Sequence, residues 1–195
     1  MRADTGLRQE IAAERQVLQR GYMERPNPRL LLRRHTQLID RTAKAVWKRS
    51  GVPHGAALVA TGGYGRSELF PSSDIDLLVL LAREPGEDER GALERLIGTL
   101  WDVGLEIGHS VRTVQGCVDA AASDITVRTT LLEARFLAGS RSLYRDMAAA
   151  LARSAEPAAF LKAKQMGIPF GVYAHSFDKL EPFTELFTRT VPTPA

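Results

Sequence analysis

Leu7, Ile11 and Leu18 recur at near-helical spacing among charged residues, which predicts an amphipathic helix over 5–20. Gly21 and the Pro26-Asn27-Pro28 cluster end it. A second stripe of Leu31, Leu38, Ile39, Ala45 and Val46 predicts a helix over 29–49, with Trp47 packing at its C-terminal end. The pattern then changes. Ala56 to Thr61 is a short continuous apolar run bounded by Gly62-Gly63, which reads as a buried strand. Leu77 to Leu81 is apolar on both faces, so that strand is central and covered on both sides. Helical spacing returns over 87–103 with Leu93, Leu96, Ile97 and Leu100. A third strand is expected over 105–111, and helices over 114–121, 124–138 and 141–153. Asp124 caps one of these and Gly139 terminates it. Pro157 opens a last helix that runs to about Gln165.

The chemistry concentrates between the first two strands. The order there is Gly62, Gly63, Arg66, then Asp74 and Asp76 at the start of the central strand. Side chains alternate along a strand, so the two aspartates share a face, roughly 7 Å apart along the backbone. Two carboxylates that close repel one another unless a cation lies between them. Mg²⁺ suits them: it takes one or two carboxylates and fills its other positions with water and phosphate oxygens. A Gly-Gly turn leading into a short helix near Tyr64 aims free backbone N–H groups at an anion. Arg66 can grip phosphate as a fork. Ser72 and Ser73 either touch phosphate or are plain loop hydroxyls. Glu68 braces Arg66 rather than binding metal. Each part alone is ordinary, since Gly-Gly is a turn and Asp-x-Asp is often a solvated strand end. In this order, between two strands, they describe a nucleoside triphosphate site. No Gly-Lys-Ser/Thr follows, so it is not a Walker loop, and a Rossmann turn would need a third glycine and a distal acid.

The segment GGYGRSELFPSSDIDLLVL resembles the nucleotidyltransferase motif of the polymerase-beta-like superfamily, and within it the bacterial protein-PII uridylyltransferases. Gly104 to Thr113 and Thr129 to Arg135 are similar to the same family. The resemblance implies an α/β fold with a short mixed sheet flanked by helices. It implies Mg²⁺ held by Asp74 and Asp76, and triphosphate held by Gly62, Gly63, Arg66 and Ser73. UTP would be the donor, a tyrosine of the PII signal protein the acceptor, and pyrophosphate a product. The superfamily commonly places a third acid on the next strand, where Glu106 is the candidate. Glu106, Gly108 and Ser110 share one face of that strand, and alternation does not say which face meets the aspartates. Glu106 is therefore either a catalytic carboxylate beside Asp74 and Asp76 or a solvated strand-end acid. His109 falls on the opposite face and reads as a hydrogen-bonded structural histidine.

Composition adds limits. With 44% hydrophobic and 25% charged residues, the chain is ordinary for a soluble globular protein. No membrane span or secretory signal is legible, and the single cysteine, Cys117, fits a reducing cytoplasm. Cys117 reads as a small core residue. Residues 1–50 hold twelve Lys/Arg against five Asp/Glu. These charges follow helical faces with few aromatics among them, so no nucleic-acid partner is expected. The expected organisation is N-terminal helices over 1–50, an incomplete nucleotidyltransferase domain over 51–166 and a divergent tail over 167–195. A catalytically silent truncated form, or a stand-alone transferase with another acceptor, are the alternatives.

Overall fold

The computed structural model of the protein describes residues 5–154. The helix expected from Pro157 and the stretch 167–195 lie outside them. Two helices come first, α1 (Thr5–Glu24) and α2 (Pro28–Arg49). α1 runs straight through Gly21 and stops only before Pro26. The Asn27 side chain accepts from the Leu30 N–H at 3.0 Å, and Pro28, which has no N–H to leave unpaired, supplies the first helical residue of α2.

Four strands follow: β1 (Ala57–Ala60), β2 (Ile75–Leu81), β3 (Ile107–Thr113) and β4 (Arg135–Gly139). They form one mixed sheet in the order β3-β2-β1-β4. β1 is antiparallel to both its neighbours, while β2 and β3 run parallel. The parallel pair needs a crossover, and α4 (Glu87–Asp102) provides it. Glu87, Asp88 and Glu89 in its first turn oppose the helix dipole, and the Glu89 carboxylate accepts from the Gly86 N–H at 2.9 Å.

Alternation along the strands makes two cores. Leu58, Ala60, Leu77 and Val79 bury on one face against α1, α2 and α4, with Ile11, Ile39 and Leu96 opposite them. Ala57, Val59, Leu78 and Leu80 bury on the other. That second face is closed by α5 (Val114–Ser123), α6 (Ile125–Leu132) and α7 (Arg141–Arg153). Cys117 is fully buried there, as its sequence context suggests. Among the described residues no helix is long and apolar enough to cross a membrane.

The segment 124–138, expected as one helix, is a helix and a strand. Asp124 caps α6 as predicted, accepting from the Thr126 N–H at 2.7 Å. The helix ends at Leu132, and Arg135 to Gly139 pair with the open edge of β1. Gly139 therefore terminates a strand rather than a helix, with φ +86°. The third strand also begins later than expected, at Ile107 instead of Leu105.

β4 fixes the ground beneath the Gly-Gly turn. Arg135 forks onto Asp40 of α2 at 2.7 and 3.0 Å and donates to the carbonyls of Tyr64 and Gly65, each at 3.2 Å. Its guanidinium lies 5.4 Å from the Tyr64 ring centroid. On the far side of the turn, His35 is buried and bonds the Leu69 carbonyl through Nδ1 at 3.2 Å. Burial depresses its pKa to about 4, so it is neutral near pH 7, and the Nδ1 that meets a carbonyl carries the proton.

Candidate functional site

The C-terminal end of β1 and the N-terminal ends of β2, β3 and β4 meet at one edge of the sheet. Every sequence-predicted site residue belongs to segments at this edge. Gly62 and Gly63 open α3 (Gly62–Gly65), directly after β1. Gly62 has φ +57°, which glycine adopts without strain. The first bonds of this turn are Gly65 N–H to Thr61 O and Arg66 N–H to Gly62 O, at 2.9 and 3.2 Å. The N–H groups of Gly62, Gly63 and Tyr64 precede them and stand outside that ladder.

Asp76 is the second residue of β2 and half-buried; Asp74 lies just before the strand and is exposed. The Thr61 N–H donates to the Asp76 carbonyl at 3.0 Å, which locks the Gly-Gly turn to the aspartate strand. A Cβ on Gly62 would stand 3.1 Å from Asp76 Oδ2, and one on Gly108 would stand 2.8 Å from Oδ1. The carboxylate is thus flanked on both sides by bare backbone. Burial, and then the charge of Asp74, push the Asp76 pKa above the usual carboxylate range.

The β2–β3 register pairs Asp76 with Gly108. This settles the face that alternation left open: Gly108 and Ser110 lie on the aspartates' side. Glu106 falls one residue before β3, is exposed, and interacts electrostatically with Arg15 of α1. Among the described residues no three His, Cys, Asp or Glu side chains cluster as a metal cage. Asp74 and Asp76 remain a pair of acids, which suits an ion that completes its shell with water and phosphate. His109 is exposed and packs edge-on to Trp101, with ring centroids 5.8 Å apart.

Arg66 ends α3, and Ser67 after it adopts a left-handed φ of 64°, a conformation that costs a non-glycine residue about 1 kcal/mol. The reversal brings Glu68 back onto Arg66 Nε at 3.0 Å, the bracing expected from the sequence. A second carboxylate, Glu133, bonds Arg66 Nη1 from the α6–β4 junction. No local pattern signals that contact; the family likeness of Thr129 to Arg135 is its one trace in the sequence. Ser73 is exposed in the turn before β2, its N–H bonded to the Phe70 carbonyl at 3.1 Å.

Gly108→Ala tests the crowding at Asp76. The new Cβ meets the end of a movable side chain, so the fold absorbs it and the melting temperature shifts by less than about 3 °C. The displaced carboxylate loses its alignment, and Mg²⁺-dependent nucleotide affinity drops by about tenfold to a hundredfold in calorimetric titration.

Residues 39–113 match the nucleotidyltransferase domain family. The chain is 46% identical over 166 residues to a bifunctional uridylyltransferase/uridylyl-removing enzyme of Nitrosospira multiformis, covering 82% of this chain and 19% of the relative. A protein of the same description from Thiobacillus denitrificans is 49% identical over 140 residues, 72% of this chain and 16% of the relative. One from Cupriavidus pinatubonensis is 44% identical over 158 residues, 81% and 18%. The chain thus spans about a fifth of the length of the curated relatives it matches.

Proposed function

This chain belongs to the nucleotidyltransferase domain family, and on that premise we propose that it transfers UMP from UTP to a tyrosine hydroxyl of the PII signal protein. The observation that carries the donor site is the Asp76 carboxylate, pressed between the bare backbones of Gly62 and Gly108 and repelled by Asp74. Such a pair is relieved by a divalent cation, and Asp74 and Asp76 are the residues that would hold Mg²⁺. Bound there, the ion would polarise the α-phosphoryl group and offset charge on the entering and leaving oxygens.

The protein's own residues do the rest by positioning and charge. Gly62 and Gly63 let phosphate oxygens come close to main-chain N–H groups. Arg66 offsets charge on the leaving phosphates, and Ser73 can add a hydroxyl contact from the rim. The acceptor oxygen bonds to the α-phosphorus, the bond from it to the bridging oxygen breaks, and pyrophosphate leaves. The tyrosine proton goes to a nearby carboxylate or to water, and Glu106 is the carboxylate assigned to take it in this reading. The helices of residues 1–50 cover one face of the sheet in this reading, and the domain proper begins near residue 51.

The test incubates the chain with α-labelled nucleoside triphosphates, Mg²⁺ and a PII-type protein. Transfer of label from UTP to a PII tyrosine, abolished by EDTA, is the expected result. Nucleotide binding with label on some other protein would replace the acceptor. Absence of any metal-dependent nucleotide binding would sink the donor site itself.

A further inference from the structure

Arg66 is held on two of its three nitrogens. Nε bonds Glu68 at 3.0 Å and Nη1 bonds Glu133. Nη2 has no hydrogen-bond partner among the described residues and lies 3.7 Å from where a Cβ on Gly63 would stand. A guanidinium is a rigid planar fork, so fixing two nitrogens fixes the direction of the third. We propose that Glu133 is a positioning residue of the triphosphate grip, holding Arg66 so that Nη2 faces the Gly62–Gly63 turn. The inference rests on the donor-site reading above and names a residue that reading does not use.

Three observations separate Glu133 from a chance surface partner. Its backbone is closely packed: a Cβ on Gly65 would stand 2.1 Å from the Glu133 carbonyl oxygen, so the two segments touch at the main chain. Its N–H is also bonded to the Thr129 carbonyl at 3.2 Å. The contact is shielded, with side-chain exposures of 28% for Arg66 and 26% for Glu133 against 53% for Glu68. A shielded ion pair resists screening by salt better than an exposed one. Finally, Thr130 lies in van der Waals range of the position a Gly62 Cβ would take, so the end of α6 borders the turn that Arg66 serves.

The full chain is titrated calorimetrically with UTP and, separately, with inorganic tripolyphosphate, both with Mg²⁺. The proteins are wild type, Arg66→Ala, Glu133→Ala, Glu133→Gln and the Arg66→Ala/Glu133→Ala double variant. Melting temperatures are measured in parallel, and Glu133→Gln preserves shape in case the alanine variant folds poorly. Glu133→Ala should weaken both ligands by about tenfold, the same factor for each, because the effect acts on phosphate and not on the base. The double variant should bind like Arg66→Ala, since Glu133 works only through that residue. Glu133→Gln should fall between, having kept an acceptor and lost the charge. Affinity unchanged or tightened in both Glu133 variants would overturn the proposal, as would losses that multiply in the double variant. A fall in melting temperature with affinity intact would reduce Glu133 to a strut and overturn it too. If the wild-type chain binds neither probe, the donor-site reading falls and takes this inference with it. That outcome shows before any substitution is made, so the two failures stay distinct.

Discussion

Asp76→Asn is expected to abolish Mg²⁺-dependent nucleotide binding and, in the absence of metal, to raise the melting temperature. The two effects have opposite sign and one cause. The carboxylate is half-buried, crowded by Gly62 and Gly108, and its pKa is raised first by burial and then by Asp74. A raised folded-state pKa means that the folded protein holds this proton more readily than the unfolded chain does. Stability from this group is therefore gained as pH falls through the folded value, and the ionised form is a burden at neutral pH. Asparagine removes the burden. The expected gain is about 1–3 °C in a metal-free thermal melt at pH 7, and it shrinks as the solution is made mildly acidic. With Mg²⁺ and nucleotide present the order reverses, because the wild type gains binding free energy and the variant does not. In the proposed donor site, loss of this fixed charge should lower transfer activity on the order of 10³-fold. Asp74→Asn should lose binding similarly yet gain little stability, because Asp74 is exposed. Retention of Mg²⁺-dependent binding by Asp76→Asn would show that the metal lies elsewhere.

Gly65→Ala should be the most damaging single methyl group in this region. Its Cβ would stand 2.1 Å from the Glu133 carbonyl oxygen and 3.0 Å from that of Ala60. Both are backbone atoms of elements tied into the sheet, so neither can swing aside. Overpacking of this kind costs about 3 kcal/mol, which for a chain of this size is roughly 6–12 °C of melting temperature. The damage also separates α3 from the α6–β4 junction, so Arg66 loses Glu133 and triphosphate binding weakens together with stability. Gly98→Ala in α4 is the matched control. Nothing lies within 4 Å of its Cβ position, and at this half-exposed place in the helix the better helix former adds about 0.5–1 kcal/mol. Differential scanning calorimetry of the two variants should therefore give shifts of opposite sign. A Gly65→Ala protein that melts with the wild type would mean that the α3 contact is looser than these distances require.

Much of the arrangement around the Gly-Gly turn is legible in the sequence because it is local. The spacing of Gly62, Gly63, Arg66, Asp74 and Asp76 lies within fifteen residues, and the flanking apolar runs are short and continuous. The bracing of Arg66 by Glu68 is two residues away in sequence and was readable for the same reason. Residues 124–138 were not legible as helix plus strand. Ala134 to Ala138 has no alternation strong enough to exclude a helix, and so short a stretch, with Arg135 inside it, is ambiguous in period. What makes it a strand is β1, whose second edge would otherwise present unpaired N–H and C=O groups. That edge lies more than seventy residues away and cannot be read from a local window.

Side-chain period and turn chemistry are enough to order the strands around the Gly-Gly turn, to put Asp74 and Asp76 at the start of the central strand and to make both faces of that strand apolar. The place of Gly108 beside Asp76, the reach of Glu133 to Arg66 and the tie from Asp40 through Arg135 to the Gly-Gly turn come instead from contacts distant in the chain. Alternation fixes which residues share a face but leaves the face itself open. Register and long-range packing choose it, because only one pairing buries Leu78 and Leu80 against α5 to α7 while leaving Asp76 at the sheet's edge.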